Sequence, residues 1–173
     1  MEYESIQRFA LFCQKYNLNI KFNDNNSSGT DLFINGCKIQ MKYSLKPPNN
    51  GGSTYGYRIS LVHGKKKVPY KKGENDYYVI ELGSYHGEFL WLCEELLIEK
   101  GWIATDTQKG KTSLSVFPYD YVEKRLSTMP NTNRKELSDR KLVHGNWTSN
   151  KEYWFSTEKG CLGHSDCKGP IHC

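Results

Sequence analysis

No apolar run in the 173-residue chain approaches the roughly 20 residues that a bilayer-spanning helix needs, which excludes such a helix. The first residues, MEYESIQRF, carry acids where a secretory leader has a basic stretch followed by an apolar one. That pattern predicts an intracellular protein, nuclear or cytoplasmic alike. There is no internal repeat, which excludes a solenoid. Strong charge of one sign is also missing: the net charge is +5 and the isoelectric point about 8.8, too mild for a histone-like polycation. A basic balance of this size permits a polyanionic partner without demanding one. Hydrophobic residues are scarce at 37%, with a mean hydropathy of −0.72. The shortfall is offset by 12 Tyr, 7 Phe and 4 Trp, each of which buries a large area, so the chain can build one proper core.

The order of elements follows from periodicity. Ile6, Phe9, Ala10 and Cys13 recur at helical spacing, which predicts a helix over residues 2–17. Residues 18–22 alternate as a half-buried strand does. Leu32–Ile34 and Cys37–Ser44 read as two strands joined by Asn35-Gly36, the strongest short hairpin signal. The segment LKPPNNGGSTYG, residues 45–56, is a loop by its prolines and glycines. YRISLV (57–62) and DYYVIEL (76–82) read as a strand pair around the lysine-rich GKKKVPYKKG. A strand over 88–92, a short helix over 94–100 capped by Gly101, short strands at 102–105 and 113–117, and a brief helix over 118–126 follow. Tyr153, Trp154 and Phe155 read as an anchoring strand or plug. A helix, a run of strands and a second helix predict an α+β protein of α/β/α type, with a central mixed sheet flanked by helices.

One stretch concentrates the chemistry. In SGTDLFINGCKIQMKYS, residues 28–44, Asp31 opens the first strand, and Gln40 and Lys42 lie in the second. A period of two puts Gln40 and Lys42 on one face and Ile39 and Met41 on the other. A tight hairpin then carries a carboxylate, an amide oxygen and an ammonium to nearly the same place. An oxygen pair suits a hard divalent cation, and an ammonium suits a phosphate. Lys65, Lys66, Lys67, Lys71 and Lys72, with Arg58, are candidate contacts to a phosphate backbone. His63 and His86 are read as ordinary surface histidines.

At these residues the chain resembles the PD-(D/E)xK nuclease superfamily, the restriction-endonuclease and Holliday-junction-resolvase fold. The resemblance spans roughly residues 1–105. The superfamily's aspartate would be Asp31 in GTDLFI, and its (D/E)xK would be Gln40-Met41-Lys42 in KIQMKYS, a QxK variant. The resemblance implies a Mg²⁺- or Mn²⁺-dependent endonuclease acting on DNA. The metal would be held by Asp31, Gln40 and the main-chain carbonyl of Met41, and Lys42 would sit beside the scissile phosphate. It further implies an acid from the first helix, for which Glu4 is preferred over Glu2, and a homodimer, since cutting both strands takes two sites. Two alternatives remain open: a non-catalytic nucleic-acid-binding module on the same fold, and a nuclease directed at RNA.

The cysteines divide into two groups. Cys13, Cys37 and Cys93 stand singly in apolar patterns and read as small buried hydrophobes. Cys161, His164, Cys167, His172 and Cys173 crowd a glycine-rich end at gaps suited to tetrahedral Zn²⁺. Without a secretory leader, structural zinc is preferred to a disulfide framework. The sequence accordingly predicts a nuclease-like core, 1–155, and a Cys/His-rich appendix, 156–173, expected to bind zinc.

Overall fold

The computed structural model describes residues 2–24, 29–44, 57–64, 67–120 and 152–162. Helix α1, Glu2–Lys15, opens the chain. Its end is set two residues before the expected one by Asn17, whose φ of +55° is left-handed. Leu18 N–H donates to the Cys13 carbonyl (2.8 Å) and Asn17 N–H to that of Gln14 (3.3 Å), a Schellman closure that satisfies the last carbonyls. Strands β1 (Ile20–Phe22), β2 (Leu32–Ile34) and β3 (Cys37–Ser44) follow as antiparallel neighbours. Asn35 and Gly36 take φ of +50° and +85°, the two left-handed residues that a tight hairpin matched to strand twist requires.

Beyond β3, neighbours in sequence cease to be neighbours in the sheet. Strand β4 (Tyr57–Ser60) was expected to pair with β5 (Tyr77–Leu82). It pairs instead with β7 (Ser113–Val116) in a separate two-stranded sheet. Strand β5 runs parallel to β3, with Ile39 opposite Tyr77 and Lys42 opposite Ile80, and antiparallel to β6 (Glu88–Cys93). Helix α2 (Glu94–Glu99) ends at Lys100 and Gly101, which has a φ of +87°. Residues 102–105 are not a strand; they touch Lys71 through a single bridge at Ala104. Residues 118–120 are not helical, and 121–126 lie outside the described residues, as does the loop 45–56. Strand β8 (Glu152–Ser156) pairs with β6, and β9 (Gly160–Leu162) pairs with β8. The sheet order is β1-β2-β3-β5-β6-β8-β9, a mixed seven-stranded α+β arrangement. The division expected at residue 155 falls inside β8, so Leu162 belongs to the same sheet as Ile39.

The sheet separates two cores. On one face α1 lays Phe9, Phe12 and Cys13 against Ile39, Met41, Val79, Trp91 and Tyr153. On the other, Tyr78, Ile80, Leu82, Leu90 and Trp154 meet α2 and the β4–β7 pair. Strand β5 is buried throughout, which explains its nearly unbroken apolar run. Its exception, Glu81, is fully buried on the α1 face. There Arg8 forks onto it, with Nε 2.8 Å from Oε2 and Nη2 2.5 Å from Oε1, and Gly87 N–H adds a third donor at 2.8 Å. Among the described residues no helix is long and apolar enough to cross a membrane.

Glu152 is buried without such help. It borders a small apolar cavity among Leu90, Leu92, Leu96, Trp102 and Leu114, and its Oε2 has no hydrogen-bond partner among the described residues. Burial lifts its carboxyl from 4.5 to about 8, against the opposing pull of Lys100. A raised carboxyl favours the native state fully only below its unfolded value, and that advantage is lost as pH climbs towards 8. Glu152→Gln should therefore gain stability relative to the wild type between pH 5 and pH 8. Urea midpoints at the two pH values measure the difference, and a pH-independent gap would show that Glu152 is not buried as a neutral acid.

Candidate functional site

The hairpin register determines the geometry. Leu32 faces Ile39, so one step back Asp31 comes alongside Gln40. Asp31 N–H still donates to the Ile39 carbonyl (2.9 Å), but the next ladder position is filled by the Asp31 side chain: Met41 N–H donates to Oδ2 at 2.8 Å. A carboxylate standing in for a main-chain carbonyl ends the β2–β3 pairing and fixes the acid at the mouth of the hairpin. Gln40 is nearly buried, at 6% exposure, and its Nε2 donates to the Met41 carbonyl (3.1 Å). Lys42 lies two residues further on the same face. Its Nζ is 4.9 Å from the centre of the Tyr70 ring and 3.5 Å from the Val62 carbonyl. Asp31, Gln40, the Met41 carbonyl and Lys42 are thus brought to one end of the β2–β3 hairpin.

The other expected site residues are placed differently. Helix α1 covers the Ile39–Met41 face, opposite that of Gln40 and Lys42. Glu4 is exposed there, and its charge acts on Arg8. Among the described residues no group of three or more Asp, Glu, His or Cys side chains could hold a metal ion. The Glu2 side chain lies outside the described residues. Arg58 is exposed on β4. Lys67, Lys71 and Lys72 are exposed on the hairpin that bridges Val62 to Pro69 and its exit, while Lys65 and Lys66 lie outside the described residues. Val62, whose carbonyl Lys42 reaches, opens this hairpin.

Two of the cysteines, Cys161 and Cys93, differ from their expected state. Cys161 is disulfide-bonded, and so is Cys93, while Cys13 and Cys37 are free thiols. Zinc takes thiolates, and a sulfur committed to a disulfide is not one. Nor is Cys93 simply a small apolar filler. His164, Cys167, His172 and Cys173 lie outside the described residues.

The structure adds residues that the sequence pattern had not singled out. Thr30, 6% exposed, holds its hydroxyl 2.9 Å from both the Asn75 Oδ1 and the Glu74 carbonyl. Asn75, 1% exposed, donates to the Gly29 carbonyl (3.0 Å). His63 Nε2 lies 3.0 Å from Glu74 Oε2, and the His63 ring stands 4.6 Å from that of Tyr70. All of these line the approach to Asp31 and Lys42. The available signal was GEND, a polar turn just before the buried β5, whose parallel pairing with β3 brings it beside the hairpin.

A metal at this end would meet oxygen donors: the Asp31 carboxylate, the Gln40 amide oxygen and the Met41 carbonyl, whose second lone pair remains when Gln40 donates to it. That donor chemistry fits Mg²⁺, which keeps several waters and needs few protein ligands.

Asp31 has a structural duty separable from any charge it carries. Asp31→Ala should destabilise the fold by about 1–3 kcal/mol, because the Met41 N–H loses its acceptor. Asp31→Asn retains an acceptor oxygen and should lose markedly less. Equal urea midpoints for the two variants would show that this bond contributes nothing.

With the geometry in place, likenesses to known proteins can be set against it. No family model matches the chain, and no curated protein matches it. Among solved structures, a bacterial homing endonuclease, I-Ssp6803I, is similar with a TM-score of 0.52 and 12% identity, over 68% of this chain and 76% of that one. The structure of MepB gives a TM-score of 0.49 and 17% identity, over 92% and 99% of the two chains. At such identities the likeness to the endonuclease is one of fold: the seven-stranded α+β sheet is nuclease-like.

Proposed function

We propose that this protein is a metal-dependent endonuclease that hydrolyses phosphodiester bonds in DNA at the Asp31–Gln40–Lys42 end of the β2–β3 hairpin. One observation carries the reading. The hairpin register sets Asp31 beside Gln40 and the Met41 carbonyl, and strand alternation sets Lys42 on the same face. Mg²⁺ or Mn²⁺ held by Asp31, Gln40 and the Met41 carbonyl would polarise the phosphate and lower the pKa of a bound water. Lys42 supplies a positive charge where the phosphate gains negative charge, and the desolvating neighbourhood of Tyr70 strengthens it. Lys67, Lys71 and Lys72 extend that charge along the backbone of the nucleic acid.

A second reading is favoured by one specific feature. Gln40 brings no charge, and its amide nitrogen is already engaged with the Met41 carbonyl. A single carboxylate holds a divalent cation weakly, which would leave a nucleic-acid-binding module without catalysis.

The two readings separate in one assay. Supercoiled plasmid, labelled duplex and single-stranded DNA, and RNA are incubated with the protein in Mg²⁺, Mn²⁺ or EDTA. Cleavage of DNA that needs the metal and falls about 10²-fold or more in Lys42→Ala and in Asp31→Asn supports the endonuclease. Retention of labelled DNA with no cleavage supports the binding module. Cleavage that survives both substitutions would place the chemistry elsewhere in the chain.

A further inference from the structure

We infer that His63 is the proton acceptor of this site and that Glu74 holds it in position, an inference that rests on the endonuclease reading. The two residues are eleven apart in sequence and are joined by the hairpin that bridges Val62 to Pro69. Glu74 Oε1 and Oε2 lie 2.9 and 3.0 Å from His63 Nε2. Glu74 is itself fixed: Lys71 N–H donates to Oε2 at 2.7 Å, and its main-chain carbonyl lies 2.9 Å from the Thr30 hydroxyl. A carboxylate only accepts, so beside ionised Glu74 the imidazole carries its hydrogen on Nε2. The neutral ring then presents an unprotonated Nδ1.

The position of that nitrogen connects it to the site. The ring packs so closely on Gly29 that a Cβ there would meet His63 Cε1 at 2.7 Å and Nδ1 at 3.4 Å. Gly29 is two residues before Asp31. On the other side, His63 and Lys42 share Tyr70: the imidazole ring is 4.6 Å and the ammonium 4.9 Å from its centre. Lys42 also reaches the carbonyl of Val62, the residue preceding His63. The imidazole thus packs on the entry to the Asp31 strand and shares one ring with the Lys42 amine. The side chain keeps 22% exposure. The ionisable groups around it are Glu74, Tyr70, Lys42 and, on the loop, Lys67 and Lys71, with Tyr78 behind Asn75 and Asp31 beyond Gly29.

The step balances simply. A water oxygen bonds to phosphorus while one of its hydrogens passes to Nδ1 of His63. The bond from phosphorus to the leaving ester oxygen breaks, its electron pair goes with that oxygen, and solvent supplies the proton. The imidazolium formed is stabilised by Glu74, the partner that had fixed the tautomer. His63 is then a catalytic residue of the proposed reaction and Glu74 a positioning residue.

The experiment follows single-turnover cleavage of labelled duplex DNA from pH 5.5 to 9 in Mg²⁺. The wild-type rate should rise with pH as the imidazole loses its proton and then level off. His63→Gln should lose about 10²-fold or more and the rise with it. Imidazole added to His63→Ala should restore part of the rate. Glu74→Gln should lower the rate and weaken the preference of the ring for the Nε2–H tautomer, because an amide can present a donor to Nε2 as well as an acceptor. Ring ¹⁵N spectra of the wild type, which need no substrate, should show the Nε2–H tautomer for His63. A wild-type-like rate and pH profile in His63→Gln, or an Nδ1–H tautomer, would overturn the inference alone if Lys42→Ala is still inactive. No cleavage by the wild type would overturn it together with the endonuclease reading.

Discussion

The parallel pairing of β3 with β5 is the constraint on which the rest depends. Strand β5 is buried on both faces, and its pairing sorts the side chains of β3 between the same two faces. Ile39 and Met41 go to the aromatic layer under α1, while Gln40 and Lys42 share the opposite face with Tyr78 and Ile80. The pairing is locked at its start, where Lys38 N–H donates to Asp76 Oδ2 (2.7 Å) and Asp76 N–H to the Lys38 carbonyl (2.8 Å). A slip of one residue would send the Lys42 ammonium among Phe9, Phe12 and Trp91, at a cost of several kcal/mol. The register is therefore enforced by the core, and the polar end of the hairpin is a consequence of the packing.

What could be read from the sequence was local. The limits of β2 and β3, the left-handed Asn35-Gly36 turn and the common face of Gln40 and Lys42 all follow from residues within a dozen positions of one another. Partnerships at long range were not legible. DYYVIEL announces a strand buried on both faces, but an apolar run does not say which strands flank it, and β4 found β7 some fifty residues away. His63 reads as an ordinary surface histidine and Glu74 passes unremarked, because a lone histidine and a lone glutamate carry no spacing signal; only the closing of the lysine hairpin joins them. The disulfide-bonded state of Cys93 and Cys161 was not legible for another reason. Gaps of two to four residues suit a zinc site or a disulfide equally well, and the buried Cys93 had no visible partner.

Three carboxylates in the structure meet three fates, and the contrast explains what distinguishes Asp31. Glu81 is buried as an ion because Arg8 and the Gly87 N–H surround it. Glu152 is buried among leucines, where its carboxyl is raised to about 8. Asp31 is half-buried at a strand end, with one oxygen bound to the Met41 N–H and its neighbours drawn from the polar ends of β3 and the GEND turn. The first two are absorbed by the fold. The third is held by the backbone at a place where the sheet opens, which is where a fixed charge can meet something from outside.

The same accounting bears on Gln40. At 6% exposure, a glutamate in its place would bury a second negative charge next to Asp31, and the described arginines, Arg8 on Glu81 and Arg58 exposed on β4, are engaged or placed elsewhere. Burying such an ion costs several kcal/mol unless it is compensated, and its repulsion of Asp31 would add to that. An amide of the same length satisfies itself by donating to the Met41 carbonyl, so the hairpin mouth is stable without a cation. Under the proposed function this shifts where the negative charge comes from. The phosphate of the nucleic acid would bring it, drawn in by Lys42 and the lysines of the neighbouring hairpin, and the cation would be held jointly by protein and substrate. A site built this way would bind its metal weakly in isolation and more tightly once nucleic acid is present.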